Sequence, residues 1–250
     1  NSCNYQETWR YKMDNYQWFK HTFVTLQEVV AYRLGENPMT NFGGLLKIAK
    51  DRKDKVILTY YDKLNFYREL RNILEHKSVG KDDVIAVPSY TLITQMEEVI
   101  NKIKFPKKVK DIFLKKVISF EPTDSLSKLL SAVNDNGYSQ FPVFEQGKLV
   151  GIISENGITN FLSHSIEDDL ISIKEITVKD VLTLDETKDA FSVISENKSI
   201  FDIESIFSKK VSEGNSAFLI LISTNGIIET PEDIIGIITP WDLPELIKNK

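Results

Sequence analysis

The sequence has a single cysteine, Cys3, set among polar residues, so no intramolecular disulfide can form and no cysteine cluster can hold a metal. Histidine is nearly as scarce, with three in 250 residues, and none lies at zinc-ligand spacing. Long apolar runs are missing too. The longest, Ala217 to Ile222, is far too short to span a bilayer, and Asn1 opens no charged-then-apolar secretion segment. The expected location is therefore the cytoplasm, with no membrane partner. No glycine-rich phosphate loop and no nucleophile elbow occur. Polar tracts long enough to prevent folding are also absent: 42% of the residues are hydrophobic and 27% charged, as in ordinary globular proteins. The net charge of −5 comes from the stretch beyond Phe105, the part before it being mildly basic. That basic excess is too small to mark a nucleic-acid face by itself, although the split suggests separate domains.

What the chain does have is two kinds of hydrophobic grammar. Up to about Lys104 the period is helical, with Phe23, Leu26, Val29, Val30 and Leu34 recurring at three- and four-residue spacing. A second short helix is expected over Asn41–Lys50 and a long third one over Val56–His76. A fourth follows Pro88, which suits the first turn of a helix, and runs through Leu92, Met96 and Ile103. Pro106 then marks a boundary. Beyond it, short apolar runs alternate with helical stretches, and Val109-Lys110-Asp111-Ile112 returns as Val178-Lys179-Asp180-Val181. Each copy is expected to run strand, helix, strand, turn, strand, helix. In the first these are Val117–Phe120, Ser125–Asn134, Gln140–Phe144, the Gln146-Gly147 turn, Leu149–Ser154 and a helix from about Gly157. In the second they are Phe191–Ser195, Ile200–Glu213, Ala217–Ile222, Ile234–Thr239 and a helix from Pro240.

Three phrases carry a family likeness in the first copy: the Val109 tetrad, Gly137-Tyr138-Ser139-Gln140-Phe141-Pro142-Val143, and Gly147-Lys148-Leu149-Val150-Gly151-Ile152-Ile153-Ser154. The second copy ends on Gly236-Ile237-Ile238-Thr239-Pro240-Trp241-Asp242-Leu243. In order and duplication they resemble the CBS domain family over roughly Lys107 to Lys250. The resemblance implies an α+β chain in which an N-terminal helical bundle (1–105) precedes a tandem pair, a Bateman module. Its repeats, 106–165 and 166–250, are each β-α-β-β-α, packed about a pseudo-twofold axis with two clefts.

Ligands of that family are mostly adenosine derivatives, so the implied partner is an adenine nucleotide: AMP, ADP, ATP or a cyclic dinucleotide. It would act as a regulatory ligand rather than a catalytic cofactor. By the resemblance, Thr239 and Pro240 open a helix whose free N–H groups hold phosphate, and Asp242 accepts the ribose hydroxyls. The adenine lies against Ile118 and the strip Tyr138, Ser139, Gln140, Phe141 and Pro142, with Lys115 or Lys116 in reach of the phosphates. A threonine N-cap followed by an aspartate in the first turn is equally the signature of a capped helix. The two clefts differ. In the first copy the position matching Asp242 is Gly157, so no carboxylate is expected there, and the companion segment Asn215–Ile220 has no proline matching Pro142. One nucleotide per chain is expected, and Gly157→Asp alone should do little.

The third helix contains Arg71-Asn72-Ile73-Leu74-Glu75-His76, which resembles the arginine, polar residue, spacer, histidine motif of the HEPN family. That likeness implies a small helical bundle and a metal-independent endoribonuclease working as a dimer. Arg71, Asn72 and His76 would be its catalytic set, with histidine as proton carrier and arginine steadying phosphate charge. Two function classes therefore stand. One is a nucleotide-sensing regulator or adaptor, expected to be a homodimer; the other is a nucleotide-gated ribonuclease with RNA as a further partner.

Overall fold

The computed structural model describes residues 14–76, 86–166, 173–215 and 217–250. The chain forms two compact units, Asn1–Pro106 and Lys107–Lys250.

Among the described residues the first unit is all helix: α1 (Asn15–Leu34), α2 (Phe42–Asp51), α3 (Lys55–Thr59), α4 (Tyr61–His76) and α5 (Tyr90–Lys104). Four of these starts have a chemical reason. Asp14, Asn41, Asp54 and Ser89 are N-caps whose side-chain oxygens accept the backbone N–H of Gln17, Gly44, Ile57 and Leu92. Helix α1 stops at Gly35, whose φ of 67° is left-handed. The apolar stripes of α1 and α5 meet, burying Phe19, Leu26, Val30, Ile93 and Met96, and Trp18 Nε1 donates to Glu97 Oε1 at 3.0 Å. Full burial of each such side chain stabilises by roughly 1.5–3 kcal/mol.

Two expectations need correction here. The long third helix is two helices, because Tyr60 turns out of helical geometry (φ −101°, ψ 9°) and its N–H closes a three-residue turn on Ile57. Pro88 also lies outside α5, where Ser89 rather than proline makes the start.

The second unit holds two small sheets. In the first repeat β1 (Gln140–Glu145) pairs antiparallel with β2 (Lys148–Ser154) across the Gln146-Gly147 turn, whose φ values are both positive. Helices α6 (Leu126–Asn136) and α7 (Glu155–His164) pack beside it, and α8 (Val178–Leu184) follows. In the second repeat β3 (Phe191–Ser195) runs parallel to β4 (Leu219–Ser223), which is antiparallel to β5 (Gly236–Ile238). Helix α9 (Ile200–Ser212) lies between β3 and β4 in the chain. A 3₁₀ turn, Pro240–Asp242, leads into α10 (Leu243–Lys248). The helix expected from Pro240 thus starts one turn later.

The expected strand over Val117–Phe120 is reduced to one parallel bridge, Phe120 to Val143. The reason is on the neighbouring strand. Phe120 N–H donates to Pro142 C=O and Phe120 C=O accepts from Phe144 N–H. The next rung would need an N–H from residue 142, and proline has none. In the second repeat Leu221 stands where Pro142 stands in the first, and the β3–β4 ladder is complete from Phe191 to Ser195.

The cores do not follow the chain boundaries. Val109 and Phe113 pack with Ile203, Phe207, Phe218 and Leu246 of the second repeat, and Val109 N–H donates to Lys198 C=O. Reciprocally, Val178, Val181 and Leu182 pack with Phe120, Leu126 and Phe141 of the first, and Val178 N–H donates to Asp124 C=O. Each repeated tetrad therefore closes the other repeat's core, and a cut at 165/166 separates each core from its last piece. A third cluster, with Phe144 and Ile152 from one sheet and Leu219, Leu221 and Ile237 from the other, joins the two repeats.

Candidate functional site

Among the described residues no group of three or more His, Cys, Asp or Glu could hold a metal ion. The useful chemistry lies in carboxylates at turns.

Thr239 leaves β5 extended (φ −116°, ψ 168°) and caps the turn that follows. Its N–H donates to Asp242 Oδ2 at 2.7 Å and its Oγ1 to the same oxygen at 2.9 Å. Both residues are half-buried. This is a capping box, so the structural role weighed for this pair is present. Among the described residues Asp242 Oδ1 accepts no hydrogen bond. One oxygen is fixed and the other is open.

The same spacing recurs. Thr177 donates from N–H and Oγ1 to Asp180 Oδ2 at 2.8 and 2.7 Å, and Thr230 does so to Asp233 Oδ2 at 2.8 and 3.3 Å. The Thr177 N–H holds the Asp180 carboxyl below the usual aspartate range, and the N–H groups of Glu229 and Thr230 do the same for Asp233. A threonine three residues before an aspartate is thus a building habit of this chain, and only its setting distinguishes Thr239–Asp242.

The first repeat corrects the expectation that its cleft has no carboxylate. Ser154, the residue matching Thr239, caps α7 by accepting Gly157 N–H at 2.9 Å. A carboxylate is there, but it arrives from 31 residues away. Ser154 N–H and Oγ donate to Asp185 Oδ2 at 2.8 and 2.9 Å. Thr187 N–H and Oγ1 donate to Asp185 Oδ1 at 2.8 and 2.7 Å. Asp185 is 3% exposed. Sequence reasoning missed it; the usable signal was Asp185-Glu186-Thr187, an aspartate with a hydroxyl two residues on, just past α8. A Cβ on Gly157 would lie 1.9 Å from Asp185 Oδ2, so Gly157→Asp would also collide with this carboxylate.

The remaining predicted nucleotide contacts are distributed as follows. Ile118 and Tyr138 pack against the first repeat's core. Phe141 has its side chain fully buried there, edge-on to Phe120 at a ring separation of 5.6 Å, so only its backbone can meet a ligand. Pro142 is buried beside it, while Ser139 and Gln140 are half-buried at the Ser154 end of β1, where Ser139 C=O accepts Glu155 N–H. Among the described residues no hydrogen bond joins Thr239 or Asp242 to the 138–142 strip. Pro240 follows Thr239 in the 3₁₀ turn, and Trp241 is 91% exposed. Lys116 lies elsewhere: with Lys115, Ser119, Glu196, Thr224 and Ile235 it lines a cleft of about 690 Å³. Thr224 and Ile235 belong to the opposite end of β4 and β5 from Thr239, because Ile222 pairs with Gly236 and Ile220 with Ile238.

In the helical unit, Arg71 pairs with Glu75 four residues on, at 2.8 Å, and Lys20 joins Glu75 at 3.3 Å. Asn72 is half-buried on the same helix. The side chain of His76 lies outside the described residues. Burial pushes the Tyr60 hydroxyl in this unit up to about 12.

Against known proteins, residues 109–164 match the family model described as CBS domain. An uncharacterised protein of Methanocaldococcus jannaschii is 24% identical over 217 residues, 86% of this chain and 57% of that protein. Cystathionine beta-synthase of Saccharomyces cerevisiae is 32% identical over 116 residues, 42% of this chain and 23% of the enzyme. The chain spans just over half the length of the first relative and about a quarter of the second. Among solved structures, a CBS domain pair in complex with 5′-methylthioadenosine and S-adenosyl-L-methionine aligns at TM-score 0.39 and 20% identity. It covers 57% of this chain and 97% of that one. The CBS domain of a bacterial CNNM/CorC family Mg²⁺ transporter in complex with ATP aligns at TM-score 0.39 and 20% identity, covering 62% and 99%. Among the described residues no helix is long and apolar enough to cross a membrane.

Proposed function

We propose, on the premise that residues 109–164 are a CBS domain, that this chain is a regulatory protein. Its second unit binds one adenine nucleotide at the Thr239–Asp242 turn and passes the bound state to the helical unit or to a partner. The observation that carries the reading is the setting of the Asp242 carboxylate, which the Thr177–Asp180 and Thr230–Asp233 turns do not share: the turn directly follows β5, with Oδ2 anchored by Thr239 and Oδ1 open. A carboxylate already fixed through one oxygen loses little freedom when the other accepts a ribose diol, and a charged acceptor contributes about 1.5–3 kcal/mol. Phosphate would then face the Trp241 N–H, since Pro240 has none and the N–H groups of Asp242 and Leu243 donate to Thr239 and Pro240 C=O. Because the family's ligands are mostly adenosine derivatives, AMP, ADP, ATP and a cyclic dinucleotide are the candidates.

Calorimetric titration with these four nucleotides tests the reading. Asp242→Asn is the informative variant, since its amide oxygen can still accept the Thr239 donors while the charge is lost. Affinity should fall at least tenfold with folding intact, 1.4 kcal/mol being a factor of ten. Unchanged affinity overturns the assignment. Regulation of the helical unit requires a ligand that binds its two arrangements unequally. Hydrogen exchange should therefore change on nucleotide addition between Tyr90 and Ile103 as well as at 236–243. The reading takes the chain to be a homodimer, which sedimentation equilibrium checks.

A further inference from the structure

The two repeats solve one problem, a helix start after the last strand, with opposite consequences for ligand binding. In the second repeat the carboxylate that receives the capping hydroxyl comes from three residues on, and one of its oxygens is open. In the first it comes from Asp185, and both oxygens are taken, Oδ2 by Ser154 and Oδ1 by Thr187. Asp185 also fills the space that a side chain at 157 would need. An ideal Cβ on Gly157 lies 1.9 Å from Asp185 Oδ2, 2.4 Å from its Cγ and 2.8 Å from its Cβ. Glycine at 157 and aspartate at 185 therefore fit together: the carboxylate comes from a distant loop, and only a residue without a Cβ leaves room for it.

We propose that Asp185 silences the first repeat's nucleotide position, by supplying from a distance the carboxylate that Gly157 lacks and committing both oxygens to Ser154 and Thr187. This rests on the reading of Asp242 as the ribose acceptor in the second repeat. A ribose diol needs a carboxylate oxygen with a free lone pair and room to approach it. Asp185, saturated and 3% exposed, offers neither. Single-site binding is then a property of one buried residue.

The test is a four-protein cycle of wild type, Gly157→Asp, Asp185→Gly and the double variant, read by unfolding midpoint and by AMP stoichiometry. Glycine is the required replacement at 185, because even the Asp185 Cβ conflicts with a side chain at 157. Each single change should lower the midpoint, the first by collision and charge repulsion, the second by leaving the Ser154 cap without its carboxylate. The double variant should be more stable than Gly157→Asp alone and should bind a second, weaker equivalent of AMP where wild type binds one. If Gly157→Asp is no less stable than wild type, or the double variant gains nothing over it, the exchange is wrong. A folded double variant that still takes up one equivalent overturns the silencing. Wild type that binds no AMP at all marks failure of the underlying nucleotide reading, a result separable from the other two because the stability cycle is scored independently.

Discussion

The first and second repeats of the C-terminal unit share an element order, and two of their differences trace to single residues, Pro142 and Asp185. Pro142 on β1 shortens the strand that should lie beside it to a single bridge, whereas Leu221 in the matching place lets β3 and β4 pair along their whole length. Asp185, beyond α8, caps the start of α7, whereas Asp242 caps its own turn. The teaching is that duplicated sequence fixes the order of elements, while the chemistry of each copy depends on what its neighbours in space provide.

The largest effect that would sharpen this comparison is at Gly236. It begins β5 against the backbone of residue 113, and an added Cβ would lie 2.5 Å from Phe113 C=O. Backbone cannot swing aside as a side chain can. Gly236→Ala should therefore cost about 2–4 kcal/mol, as overpacking against a fixed neighbour does, with the loss read in urea unfolding. The same change at Gly137, where nothing lies within 4 Å, meets only the strain of its left-handed φ of 64° and should cost about 1 kcal/mol. Equal losses at the two positions would show that backbone conformation, not the approach of Phe113, controls Gly236.

Next in size are the exchanged tetrads. Val109 and Val178 are both fully buried, each in the core of the repeat to which its sequence position does not assign it. Val178→Ala should remove about 1–3 kcal/mol and loosen amide protection first in β1 and β2, whereas Val109→Ala should loosen β3, β4 and β5. Protection lost in the opposite sheets would mean that the repeats close on themselves after all.

What the residues made legible, and what they did not, divides along the same line. Apolar periodicity and cap residues are local, so the helical first unit, the alternation of strand and helix beyond Pro106 and the turn at Gln146-Gly147 could all be read from the chain. The break at Tyr60 could not, because Ile57 before it and Leu64, Tyr67 and Leu74 after it keep one helical spacing through it. Nor could the fate of 117–120, since its apolar run is sound and only a missing N–H on a partner strand limits it. For the candidate site, Thr239 and Asp242 were visible because they lie three residues apart. Asp185 was not, because its partner Ser154 is 31 residues away and no local pattern links them. The fully buried Phe141 and the displaced Lys116 show the limit of carrying contacts over by position: a strip of sequence does not say which of its side chains face the core.

A smaller effect probes the sheet difference directly. Pro142→Val supplies the N–H that a second rung from Ile118 C=O needs and keeps a β-branched side chain on a buried strand. A net hydrogen bond is worth about 0.5–1.5 kcal/mol, but the freer unfolded chain opposes part of this, so stability should move by less than about 1 kcal/mol. The decisive reading is slowed exchange of the new amide at 142. Fast exchange there would show that something other than the missing donor keeps 117–120 out of the sheet.

The smallest predicted effect concerns pH. Asp180 caps α8, which closes the first repeat's core, and Asp233 caps the turn before β5 in the second; backbone N–H groups hold both carboxyls below their ordinary value of 3.8. A depressed folded pKa means that the folded state favours the charged form. The resulting stabilisation is complete above the unfolded value and disappears as pH falls through the folded one. Urea midpoints should thus be flat near neutrality and decline below about pH 4, the unfolded aspartate range. Asp180→Asn removes one of these titrating caps and should make that decline shallower, with the sensitivity lost from the repeat that α8 closes. Asp233→Asn should do the same for the other repeat, and both effects should be small, since screening reduces what a solvent-facing carboxylate contributes. If neither variant changes the slope between pH 4 and pH 2.5, the capping carboxylates are not what acid removes, and the two repeats do not differ in this respect.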